Sequence, residues 1–141
     1  MKPVEVLLVE DDPGDVILTQ EGLRASKLHI NLHVVDNGEK ALAFLHQAPP
    51  YEDAPRPGLI ILDLNLPRVN GMEVLREIKS SEMLQTIPTV ILTTSRAEED
   101  VVRSYKLGAN CYVSKPLNLD EFVKVVGSIE SFWFTVVEIA G

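Results

Sequence analysis

The sequence predicts a doubly wound α/β domain built on a five-stranded parallel sheet with helices on both faces. Three observations predict it. Short β-branched apolar runs alternate with longer amphipathic ones along the chain. The runs are continuously apolar, as in Leu59-Ile60-Ile61-Leu62, which suits a strand covered on both faces. The length, 141 residues, is that of one domain.

Taken in order, the first strand is Val4–Val9, closed by Glu10-Asp11-Asp12. Asp12-Pro13 then offers an N-cap with proline at the first helical position. In the second run, Ile30–Val35, apolar Ile30, Leu32 and Val34 alternate with His29, Asn31 and His33, the pattern of an edge strand with a polar face. At ~3.3 Å per residue the two imidazoles stand about 13 Å apart, too far to share one ion. Asp36 with Glu39 has capping-box spacing for the second helix. His46 follows that helix, with no partner suggested by the sequence. Gln47–Gly58 carries four prolines and reads as a loop insertion. The third, fourth and fifth strands are Leu59–Leu62, Thr89–Leu92 and Cys111–Val113. Ser95 with Glu98 and Asn118 with Glu121 start the last two helices. The final helix carries Leu119, Phe122, Val123, Val126 and Ile129 on one stripe. Five strands alternating with five helices predict the flavodoxin-like order 2-1-3-4-5. Right-handed crossovers then put every strand's C-terminal end on one rim, where such sheets bind ligands. The domain core is expected over about residues 4–130, followed by an apolar extension, Ser131–Gly141.

Composition narrows the function classes. The chain is 45% apolar, enough for a core, and its formal charge is −8. That sign argues against direct binding to DNA and against docking on an anionic membrane. The single cysteine, Cys111, forbids an intrachain disulfide and reads as a small core residue. No signal peptide and no membrane-spanning run is recognised, so a cytoplasmic location is expected.

The rim gathers chemistry. Glu10 and Asp11 follow the first strand, Asp63 the third, Thr93, Thr94 and Ser95 the fourth, and Ser114-Lys115-Pro116 the fifth. Crowded carboxylates repel one another unless a cation intervenes. Hard oxygen donors suit Mg²⁺, which keeps waters and recruits phosphate oxygens. A carboxylate there can attack phosphorus to form an acyl phosphate, with the Lys115 ammonium and the Thr93 hydroxyl on the phosphoryl oxygens.

Five separated pieces now resemble a response-regulator receiver domain: LLVEDD, LIILDLNLP with Pro67, Gly71, PTVILTTS, and GANCYVSKP. The resemblance implies Asp63 as phosphoacceptor and Lys115 and Thr93 as its catalytic companions. It implies Mg²⁺, with Mn²⁺ as a substitute, held by Asp11, Asp63, the Asn65 backbone carbonyl and, through water, Glu10. Thr93 and Tyr112 would be the switch pair, and the side chains of Asn65 and Ser95 would tune phosphoryl lifetime. Leu66, where many members carry Met, is a volume-conserving departure. Asp12 reads as a helix cap rather than a ligand.

The implied function is a stand-alone switch phosphorylated by a sensor histidine kinase, with protein contact as output and no enzymatic turnover of a separate substrate. The proline-rich insertion, DLNLP and the FWFTVV tail are similar to small response regulators serving cyanobacterial phytochrome kinases. The tail, through Phe132, Trp133, Phe134, Val136, Val137 and Ile139, either folds back or joins the last helices in a homodimer. Two other classes fit less well. An aspartate-nucleophile phosphohydrolase would need Asp at position 65, which is Asn. A flavin carrier would need a hydroxyl- and glycine-rich loop where Glu10-Asp11-Asp12 stands.

Overall fold

The computed structural model describes residues 3–25, 29–67, 69–93, 106–108, 111–114 and 124, with the side chains of 93 and 111–114 excepted. Five parallel strands form one sheet: β1 (Val4–Val9), β2 (Ile30–Val35), β3 (Leu59–Leu62), β4 (Thr89–Thr93) and β5 (Cys111–Ser114). Their order is β2-β1-β3-β4-β5, the predicted one. Three strands coincide with the apolar runs, and β4 and β5 each extend one residue further. Helices α1 (Pro13–Ala25), α2 (Gly38–Leu45) and α3 (Gly71–Ser80) connect them. The helices predicted after Ser95 and Asn118 are described only at Lys106 and Lys124, both helical, and the tail lies outside the described residues.

The two sheet faces bury two separate apolar clusters. On one face Leu7, Val9, Ile60, Leu62 and Ile91 pack against Ala41 and Phe44 of α2 and Val74, Leu75 and Ile78 of α3. On the other, Val6, Leu8, Leu59, Ile61, Val90 and Leu92 pack against Leu23 and Val16 of α1. All four residues of β3 are buried, which is why its pattern is continuous rather than alternating. Each such Leu or Ile contributes about 1.5–3 kcal/mol of transfer free energy.

The helix caps correct one expectation. Asn37, not Asp36, caps α2, its side chain accepting from Lys40 N–H at 2.8 Å in an extended conformation. Asp36 instead pairs with the Lys40 ammonium at 2.9 Å and accepts from Asn37 Nδ2. Asn and Asp cap equally well, so the chain's exit from β2 decides which does so. Asp12 does cap α1, accepting from Gly14 N–H at 2.8 Å and from Asp15 N–H at 3.4 Å.

The edge position of β2 alters its pattern too. Val34, expected to be buried, is exposed, whereas Ile30 and Leu32 on the same strand pack partly against the cluster beside α1. His33 lies against Phe44, with ring centroids 5.3 Å apart, and its Nε2 meets Glu5 Oε2 at 2.6 Å. Asn31 Nδ2 donates to the other Glu5 oxygen at 3.1 Å. The polar face is thus a cross-strand network in which Asn31 and His33 share the Glu5 carboxylate. The His33 bond, then the Asn31 bond, holds the Glu5 carboxyl below the ordinary glutamate range. A depressed folded-state value means stability present above that range and lost as pH falls through the folded value. Urea unfolding of wild type and Glu5→Gln should therefore differ at neutral pH and converge in acid. A difference independent of pH would refute this linkage.

The proline-rich insertion is ordered. Phe44 meets Tyr51 in a tilted ring contact at 5.5 Å, Gln47 donates to Ala54 O at 2.7 Å, and Gly58 N–H donates to Glu5 O at 2.7 Å. Arg56 reaches the Met83 carbonyl and Thr86 Oγ1, fastening the insertion to the segment before β4.

Candidate metal and phosphoacceptor site

Parallel pairing builds the site by continuing one residue past the strands. Glu10 N–H donates to Val35 O and Asp63 N–H to Val9 O, both at 3.0 Å. The residues after β1 and β3 are therefore held side by side at the rim. One carboxylate oxygen from each of Glu10, Asp11 and Asp63 lies within 4.8 Å of the other two. Glu10 is 2% exposed and Asp63 4% exposed, while Asp11 faces solvent. The cluster is buried at its back and open at its front.

Backbone donors orient these acids. Asn65 N–H donates to Asp63 Oδ1 at 2.9 Å and Asp12 N–H to Glu10 Oε2 at 3.3 Å. Neutral donors do not cancel three neighbouring negative charges, two of them shielded from water. A cation does. Octahedral Mg²⁺ places oxygens at about 2.1 Å, hence about 3–4 Å from one another, so a slight contraction of the cluster would accommodate it. The all-oxygen donor set suits a hard divalent ion and disfavours soft metals. Among the described residues this is the group of His, Cys, Asp or Glu side chains that could hold an ion.

The loop after β3 is pinned at both ends. Asn70 caps α3, accepting from Met72 N–H at 2.7 Å, and Gly71 N–H donates to Leu64 O at 3.2 Å. A Cβ on Gly71 would fall 2.5 Å from Leu64 Cα and closer still to the Asp63 carbonyl oxygen. Only glycine allows α3 to start so near the Asp63 backbone. Sequence reasoning found Gly71 by resemblance alone and missed Asn70, although Asn-Gly before an apolar run is a legible helix start.

Of the other predicted site residues, Thr93 ends β4 opposite Ser114, and Tyr112 stands opposite Ile91. Lys115 directly follows the last residue of β5 but lies outside the described residues, as do Thr94 and Ser95. Asp12 caps its helix and is not in the acidic cluster. None of the described helices is long and apolar enough to cross a membrane.

Comparison with known proteins agrees with this geometry. The response regulator receiver domain family matches residues 6–127. Response regulator Rcp1 of Synechocystis sp. is 50% identical over 135 residues, covering 96% of this chain and 92% of the relative. The crystal structure of the Mn²⁺-bound form of Rcp1 superposes with a TM-score of 0.82, covering 93% of this chain and 94% of that one. The crystal structure of the phosphorylated cyanobacterial phytochrome response regulator RcpA, 44% identical, gives 0.84 with 96% of each chain covered. Fold and sequence agree over most of the chain, and the protein belongs to the response regulator receiver domain family.

Proposed function

We propose that this response regulator acts as a phosphoacceptor switch in a phytochrome light-signalling system, with Asp63 taking a phosphoryl group from a sensor histidine kinase. The observation that carries the site assignment is the convergence of Glu10, Asp11 and Asp63 within 4.8 Å at the strand rim. The likeness to Rcp1 and RcpA supports the pathway.

Magnesium, or manganese in its place, would supply positive charge to the acids and the phosphoryl oxygens. Its ligands would be Asp11, Asp63, the Asn65 backbone carbonyl and, through water, Glu10. The Asp63 carboxylate attacks phosphorus in line. The new O–P bond forms as the P–N bond of the kinase phosphohistidine breaks, and the electron pair leaves with the imidazole. The Asn65 N–H holds the attacking carboxylate in orientation from its Oδ1 side. Lys115 and Thr93 bind the phosphoryl oxygens.

The added charge, roughly −1.5 to −2, draws the Thr93 hydroxyl inward, and Tyr112 fills the space it leaves. The surface around the fourth helix, β5 and the fifth helix then changes partner affinity. The protein turns over nothing but its own phosphorylation and dephosphorylation, and it acts in the cytoplasm. The apolar tail 131–141 and the last helices would form a homodimer. Truncation after Glu130 should halve the mass measured by light scattering, and an unchanged mass would remove the tail from the interface.

The direct test is incubation with a divalent ion and acetyl phosphate, followed by hydroxylamine. An acyl phosphate labile to hydroxylamine is expected. A hydroxylamine-stable label, or none, would overturn the assignment.

A further inference from the structure

The loop from Asp63 to Asn70 touches a second helix start besides its own. Gly38, the first residue of α2, lies so close to this loop that a Cβ on it would stand 2.8 Å from the Val69 carbonyl oxygen and 2.9 Å from Val69 Cβ. The same Cβ would also meet Val74 Cγ2 of α3 at 2.8 Å. A carbonyl oxygen cannot swing aside as the end of a flexible side chain can. Val69 packs on the apolar cluster that α2 and α3 share, and Asn70 beside it caps α3. Asn37 fixes the start of α2 from the other side. Two helix starts therefore clamp one loop: Gly71 against Asp63 and Leu64, and Gly38 against Val69.

We propose that Gly38 is a positioning residue for the metal site, because its lack of a side chain lets α2 seat Val69 and so sets the loop that carries Asn65. This rests on the reading of Asp63 and the Asn65 carbonyl as metal ligands. A Cβ at Gly38 pushes the Val69 backbone outward. With Gly71 still anchored to Leu64, the displacement is expected to show at Asn65 and Leu66. The cluster residues that follow β1, Glu10 and Asp11, are untouched.

The test uses Mn²⁺ alone as probe, with free ion followed by electron paramagnetic resonance, in wild type, Gly38→Ala, Gly38→Ala/Val74→Ala and, as a control, Gly14→Ala. Wild-type binding checks the metal-site reading itself, independently of Gly38. Gly14→Ala should bind normally, since a Cβ there meets only the Asp12 carboxylate oxygen at 3.3 Å. Gly38→Ala should raise the Mn²⁺ dissociation constant by about tenfold, the usual scale for losing support behind a ligand. Metal-free amide spectra should show shifts at Asn65 and Leu66 while Val6–Val9 stay fixed. Val74→Ala removes the clash with α3 but not the one with the Val69 carbonyl, so the double variant should regain stability and still bind weakly. If wild type binds Mn²⁺ and Gly38→Ala binds equally well, the proposal fails. It also fails if Val74→Ala restores affinity together with stability, because the effect would then run through α3 packing.

Discussion

Asp63→Asn should abolish phosphorylation by acetyl phosphate and leave the domain folded. The amide oxygen of Asn still accepts from Asn65 N–H, so the bond now made by Asp63 Oδ1 at 2.9 Å persists. What is lost is the negative oxygen proposed to attack phosphorus. What is gained is relief of repulsion, since one charge is removed from a cluster whose three carboxylates approach within 4.8 Å. Metal-free Asp63→Asn should therefore be no less stable to urea than wild type, while Mn²⁺ binding weakens. Labelling followed by hydroxylamine treatment, alongside urea unfolding, separates loss of chemistry from loss of fold. Undiminished labelling of the variant would place the acceptor elsewhere.

Gly71→Ala should be the most damaging single methyl group in the described part of the molecule. The new Cβ would overlap backbone atoms of both Asp63 and Leu64, and backbone cannot repack as side chains do. Overpacking of this kind costs about 1–3 kcal/mol, and here the strain falls on the residue proposed to accept the phosphoryl group. Urea unfolding should report the loss, and Mn²⁺ affinity should fall with it. An Ala variant as stable as wild type would mean that α3 can retreat without consequence.

Much of this architecture was legible because it rests on local signals. The apolar runs marked β1, β2 and β3 to the residue, continuous in β3, which is buried on both faces, and alternating in β2, which lies at the edge. The acids of the site were visible because each lies within two residues of a strand's end, where chain direction alone fixes the rim. What the sequence hid depends on tertiary approach. Asp36 and Asn37 are equivalent as caps on paper, and only the path out of β2 selects Asn37. His33 looked like a solvated polar residue until register placed Glu5 within reach across β1. Gly38 carries no chemical signature, and its importance appears only when Val69 comes to rest against it.

Locating the phosphoryl group tests the central claim most directly. Wild-type protein, treated with acetyl phosphate and Mg²⁺ and then with borohydride, should yield homoserine at position 63 alone in peptide mass spectrometry. Reduction at Glu10, Asp11 or Asp12 instead, with position 63 intact, would contradict it.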